Sequence, residues 1–426
     1  GPRALAPAAL PRELLARAQR KCEDWPGGEQ QEHMGAMTSM QATFVMVNCL
    51  MTFAMFSMPF VFAQIGFSAG LLIVAAGGLC IYSGQLLGRV LVSMKAMGFE
   101  RPLYSDAARI AFGPCCGALA YISGLLELAP YLVGNSVVLG STFADLVPGL
   151  EGDGLWAVAA SCSLGLGLSA IPDRAYSYVC LVSSSSVAIA CITLLVSGCA
   201  LPEWGPGGLR LAGPSAGLLS AFAIIVFGCA NHPYLPLIFN AMRSPGDFDR
   251  VIRSGWLLWS AFAAIFGALA YLMFGDSAQV VALQNIGKDV DLRPLPAAGG
   301  LAAFSSAWVL LKLQGSQVPL SRPFMEALAR LLGLRLPKGN GGRLCLLLSA
   351  PVFFLAAAGA QALRRQIAPL ERLAGGVLMP LNAFVWPSVF YLRLCTSEHL
   401  ASKAIASIVA AFGVSMVVLT AAFSMQ

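Results

Sequence analysis

"FGCANHPYLP", residues 227–236, decides how this chain is read. It opens as an apolar helix and then crowds Gly228, Asn231, His232, Pro233 and Pro236 into nine residues, with apolar sequence on both sides. Proline removes a backbone donor and clashes with the preceding turn, and glycine weakens a helix entropically. The stretch therefore predicts a broken helix inside a hydrophobic segment.

Composition identifies the surroundings of that break. Of the 426 residues, 57% are hydrophobic and 11% charged, with mean hydropathy +0.73, whereas soluble domains carry about 25% charged residues. This is the composition of an all-α integral membrane protein. Apolar runs of the roughly 20 residues needed to cross a bilayer start near residues 41, 68, 115, 155, 177, 215, 254, 296, 344, 372 and 402, which predicts about eleven transmembrane helices. A cytoplasmic N-terminus puts 20 of the 27 Lys and Arg on the cytoplasmic side and six opposite, with Lys312 inside a run. Positive charge concentrates in cytoplasmic loops, so the net charge of +6 reads as topology and nucleic acid is not an expected partner.

Residues 1–40 read as a cytoplasmic tail and 41–425 as one transmembrane domain. Within it, "RPFMEALARLLGLRLPKGNGG" at 322–342 is the one long polar insertion, expected to form an amphipathic cytoplasmic helix lying on the membrane. The twelve cysteines show no paired metal-ligand spacing and read as small apolar fillers. No metal motif, phosphate loop or nucleophile–base spacing appears, so neither an enzyme nor a resident cofactor is expected.

In hydrocarbon every freed backbone group needs a partner, so a broken helix persists only where it is buried in protein or lines a cavity. Transporters built from inverted repeats place paired broken helices at a midplane binding site. That rule predicts a second break five spans earlier, where "VNCLMTFAMFSMPFVFAQIG" at 47–66 concentrates Asn48, Thr52, Ala54, Ser57 and Pro59.

"CANHPYLPLIFNAMRSPGDFDRVI" at 229–252 resembles the sixth-helix signature of the amino acid/auxin permease family, especially its plant vacuolar and vesicular inhibitory amino acid branch. Further matches follow in order: "YSDAARIAFG", "LLELAPY", "YLMFGDSAQVVALQNI", Lys312 seven residues before Pro319, and "WPSVFYLRL". The resemblance implies eleven helices in a leucine-transporter-like five-plus-five inverted repeat with discontinuous helices 1 and 6. It also implies amino acid transport, commonly coupled to protons and sometimes to sodium. Family members carry a G-x-G pair in the first helix; Thr52 and Ala54 stand there instead, which favours unwinding less.

The candidate substrate-binding residues are Asn48, Thr52, Phe53, Ala54, Met55, Phe227, Gly228, Cys229 and Ala230 around the two breaks. The apolar side chains among them point to neutral amino acids. Glu127, His232 and Lys312 are the ionisable residues within apolar runs, and such residues are functional by default. They are the candidates for coupling or gating. In the fold that the resemblance implies, the eighth helix lines a sodium site against the first, and the Lys312 ammonium is expected to take that ion's place. The expected protein is a monomeric, proton-coupled amino acid transporter of the plasma membrane, vacuole or endomembranes. A sodium-coupled transporter and an amino-acid sensor using the same cavity are the alternatives.

Overall fold

The computed structural model describes residues 35, 37–146, 171, 173–295, 298–334, 343–363, 366–395 and 399–424. The expected span near residue 155 and the tail before Gly35 lie outside them. Among the described residues, eight helices are long and apolar enough to cross a membrane. A bent pair, Ser39–Leu50 with Phe53–Ile65 at 52°, makes a ninth.

The chain enters through Thr38, whose hydroxyl caps the Gln41 N–H while the Gln41 side chain returns to the Thr38 N–H. This reciprocal capping box starts α1 (Ser39–Leu50), which gives way to a 3-10 turn (Phe53–Ser57) and α2 (Met58–Ile65). Then come α3 (Ser68–Ala96), the short α4 (Tyr104–Phe112), α5 (Pro114–Leu146) and α6 (Asp173–Gly198). The predicted second break and the original one are both present. After α7 (Leu218–Cys229) the chain is extended at Ala230, makes a 3-10 turn at His232–Tyr234, and resumes as α8 (Leu235–Ala241).

Helix α9 (Phe248–Phe274) lies against α3 because glycines open the way. A Cβ on Gly77, Gly84 or Gly88 would fall 2.0, 2.7 and 2.9 Å from Ser260, Trp256 and Phe248. Small residues recurring every four or seven positions let helices approach closely where no hydrophobic effect drives them together.

Helix α10 runs unbroken over Gly299–Leu331 and carries Pro319 and Pro323 inside it. This corrects the expectation for 322–342: residues 322–331 continue the preceding helix, and 335–342 lie outside the described residues. A proline inside a helix frees a backbone carbonyl, and the one that Pro319 frees is satisfied from other helices. Its missing N–H would have bonded the Gly315 carbonyl, which instead accepts the Tyr176 hydroxyl and Asn48 Nδ2, the latter at 3.2 Å. Polar side chains at 305, 306, 312, 314, 316, 317 and 321 keep α10 out of the apolar set despite its length.

The remaining elements are α11 (Arg343–Leu363), α12 (Ile367–Leu373), two π-turns (Ala374–Leu378 and Leu381–Val385), α13 (Trp386–Leu394) and α14 (Leu400–Ser424). Single π-turns inside α-helices mark functional positions often enough to notice, and here two follow one another between α12 and α13.

Backbone contacts tie the two ends of the bundle. At one end Met37 pairs in parallel with Met242, through Met37 N–H to Ala241 O at 3.0 Å and Arg243 N–H to Met37 O at 2.7 Å. A Cβ on Gly35 would sit 2.1 Å from the Ala241 carbonyl carbon. At the other end, Phe67 and Ser68 donate to the carbonyls of Arg210 and Leu211, and Arg210 reaches Ala63 O at 2.9 Å and Asp276 at 2.5 Å.

Candidate functional site

The site is built from carbonyls that the two breaks release. Thr52 donates its N–H to Leu50 O, not to Asn48 O four residues back, so the Asn48 carbonyl loses its helical donor. Lys312 Nζ takes its place at 2.9 Å and also bonds Asn48 Oδ1 at 2.5 Å. Lys312 is 0% exposed, which excludes a lysine stretched to water at a helix end. Ser183 on α6 completes the cluster by donating to Asn48 Oδ1 at 2.7 Å or to Lys312 O at 2.9 Å. The structure therefore joins Asn48, expected among the substrate contacts, to Lys312, expected at the coupling site.

The break between α7 and α8 is held in the same manner. The Cys229 carbonyl, whose donor Pro233 lacks an N–H, accepts Trp256 Nε1 at 2.8 Å. Tyr131 on α5 aims its hydroxyl at both Phe227 O and Ala230 O, the latter at 2.6 Å, while its ring stacks on Phe227 at 4.7 Å. Asn231 Nδ2 reaches across to Cys49 O at 3.3 Å and so links the two breaks directly. Phe53 and Phe227 meet edge to face at 5.6 Å. Thr52 Oγ1 is buried with no hydrogen-bond partner among the described residues, and the first N–H groups of its 3-10 turn lack partners within that turn. These donors can receive a carboxylate.

Thr52, Phe53, Ala54, Met55, Phe227, Gly228, Cys229 and Ala230 are all buried together at the breaks. Gly228 faces protein: a Cβ there would meet Trp259 at 3.1 Å, Met58 at 3.3 Å and Ala54 at 3.7 Å. A side chain there would press on α9, α2 and the 3-10 turn between the half-helices.

Glu127 and His232 lie apart from Lys312, and no hydrogen bond among the described residues joins them to it. His232 Nε2 bonds Ser83 at 2.8 Å, its ring lies 5.2 Å from that of Trp256, and its Nδ1 has no partner among the described residues. Glu127 is 0% exposed beside Asn382, with both carboxyl oxygens outside hydrogen-bond geometry. Asn382 is already committed to Ser123 and Leu378, and its carbonyl to Tyr104.

Comparison with known proteins places the chain in a family. The model of the transmembrane amino acid transporter protein family matches residues 35–426. The chain belongs to that family. Among curated relatives, the vesicular inhibitory amino acid transporter of Xenopus laevis is 21% identical over 263 residues, covering 59% of this chain and 50% of its own length. The rat protein of that name is 20% identical over 286 residues, covering 61% and 54%. Amino acid transporter AVT1E of Arabidopsis thaliana is 21% identical over 258 residues, covering 57% and 47%. The chain spans about half the length of these curated relatives. Among solved structures, MhsT in complex with L-phenylalanine superposes with TM-score 0.55 at 14% identity, over 89% of this chain and 99% of that one. Mhp1, a nucleobase-cation-symport-1 family transporter, gives 0.57 at 11%, over 93% and 94%. At such identities the likeness is one of fold: this family member is a multi-pass membrane protein with transporter architecture.

Sequence reasoning missed Tyr131, Trp256 and Tyr176, which cap the freed carbonyls, and Ser183, which donates to Asn48 Oδ1 or Lys312 O. Tyr131 ends "LLELAPY", already singled out, and the carbonyl that a proline strips of its donor names where a capping side chain must come from. Glu371 was missed as well. It is 0% exposed on α12 and contacts Ser57, but the apolar run was expected to begin only near 372, leaving it in a loop.

Proposed function

We propose that this protein is a secondary active transporter of neutral amino acids, coupled to protons and working by alternating access. The supporting reading has eleven helices, a five-plus-five inverted repeat and a cytoplasmic N-terminus. The family and its relatives named for amino acid transport support the substrate class. Phe53, Met55 and Phe227 at the breaks favour an uncharged side chain.

The observation that carries the coupling is the Lys312–Asn48 contact. A neutral amine has two N–H donors, enough for both bonds to Asn48, whereas an ammonium has three. The third proton is free to leave without breaking either bond. An ammonium at the C-terminal end of α1 also meets the negative end of that helix dipole, the charge that a bound cation would otherwise supply. Substrate carboxylate would be received by Thr52 and the N–H groups of its turn, and substrate ammonium would share the Ala230 carbonyl with Tyr131.

Uptake of radiolabelled amino acids into proteoliposomes, under imposed proton or sodium gradients, tests the reading. Accumulation driven by protons and indifferent to sodium is expected. Sodium-driven accumulation would overturn the role of Lys312, and saturable binding without uptake would point to a sensor.

A further inference from the structure

Two ionisable side chains flank the break between α1 and α2. Lys312 holds Asn48 before it, and Glu371 holds Ser57 after it. Ser57 precedes α2 at the position where a serine normally caps the first N–H groups of a helix, yet its hydroxyl makes no cap bond. It lies instead 3.0 Å from Glu371 Oε1 and 3.3 Å from Oε2. One hydroxyl has one proton to give. Two contacts from a single Ser57 Oγ are both good hydrogen bonds when one is donated by the serine and the other by the carboxyl group itself, which requires a protonated carboxyl.

Among the described residues no cation forms a salt bridge with Glu371. Helix α7, "LLSAFAIIVFGC", packs on α12 with Cys229 as its one titratable group, and α2 and its 3-10 turn contribute none. Helix α5 contributes Tyr131, within electrostatic reach, and Glu127 one turn before it. On α12 itself Arg372 is exposed; it lies within electrostatic reach of Glu371 but forms no salt bridge with it. Buried carboxyls that lack a cation are expensive as anions and stable as acids. The N-terminal end of α2 nevertheless provides a positive dipole beside Ser57, so the charged form has partial support once water reaches it.

We propose that Glu371 is a proton-binding site of its own, on the opposite side of the α1–α2 break from Lys312, and that its proton fastens α12 to α2 through Ser57. Loss of that proton replaces one of the two hydrogen bonds by a bare buried charge and releases α2 from α12. The π-turns that follow α12 give that segment the slack to move. Proton entry and exit then have separate groups on either side of the break, Glu371 and Lys312. This inference rests on the transport reading for its role and on the Ser57 geometry for the site.

The test uses the full chain. Infrared difference spectra recorded across a pH step report a protonated carboxylic acid directly, without any transport. The expected result is a carboxylic C=O band in the wild type that is missing in Glu371→Gln and shifted in Ser57→Ala, where the hydrogen bond is gone. In proteoliposomes, the ratio of proton-driven uptake to counterflow exchange should fall about tenfold in Glu371→Gln, in the usual range for coupling between two sites. An unchanged band, or an unchanged ratio, overturns the proposal. So does a Glu371→Gln protein that fails to fold, because glutamine is the isostere of the neutral acid. A wild type that exchanges no amino acid would instead overturn the transport reading, and the infrared band would still decide the proton site.

Discussion

Lys312 Nζ stands 2.5 Å from Asn48 Oδ1 and 2.9 Å from Asn48 O, so one buried nitrogen serves both the side chain and the freed backbone carbonyl of the same residue. Lys312→Met keeps the stem and strands the Asn48 backbone carbonyl, while Ser183 can still donate to Asn48 Oδ1. Buried acceptors left unpaired cost about 1–3 kcal/mol each, and a lowered melting temperature in detergent, together with lost proton-driven uptake, is expected. Lys312→Arg should rescue poorly, because a planar guanidinium does not fit the volume of a compact ammonium. Full proton-driven accumulation by Lys312→Met would remove the lysine from coupling.

Tyr131→Phe deletes the hydroxyl shared by Phe227 O and Ala230 O but keeps the ring stacked on Phe227. The variant should lose about 1–3 kcal/mol of stability and bind amino acid more weakly, read by thermal shift with and without substrate. Wild-type melting with a wild-type substrate shift would mean that the break holds its shape without this cap.

At Gly228 the neighbours are Trp259, Met58 and Ala54. Ala should be tolerated at a small cost, whereas Leu overpacks the junction of α7 with α9 and α2, for about 1–3 kcal/mol of destabilisation. Thermal melting separates the two. A stable Gly228→Leu protein that has lost substrate affinity alone would return this glycine to the pocket wall.

Topology is tested with cysteines introduced one at a time at Ser244 and Leu211, both exposed and in loops at opposite ends of the bundle, in a background whose exposed Cys115 and Cys199 are serine, labelling being scored above that of the background. A membrane-impermeant maleimide should label Ser244→Cys from the cytoplasm and Leu211→Cys from the other side. Labelling of both from one side would contradict the proposed arrangement.

The breaks were legible because proline and glycine act through local backbone chemistry, which needs no tertiary information. Their partners were not. Which side chain reaches the Cys229 or Gly315 carbonyl depends on helix packing, so Trp256 and Tyr176 carry no local signal. At 322–331 the helical pattern is visible in the sequence but its continuity with the preceding helix is not, because only packing shows that Asn48 and Tyr176 satisfy the Gly315 carbonyl that Pro319 frees. Lys312 stood out because charge is rare in apolar runs, whereas Glu371 stands next to Arg372 just ahead of one, where charge is common. Nothing in the spacing hinted that one of those two neighbours is buried and the other exposed.

The pairing of Met37 with Met242 makes the segment before α1 and the segment after α8 a single clasp, reinforced by Ser39 Oγ on Asp247 at 2.7 Å. The two half-helices at that end therefore cannot swing independently: either both stay, or the clasp tears and both are set loose. Force applied to the chain ahead of Gly35 is transmitted through three backbone hydrogen bonds to α8, and from there to His232 and the carbonyls it adjoins. Anything that grips or tethers that leading segment acts as a remote handle on the innermost part of the molecule.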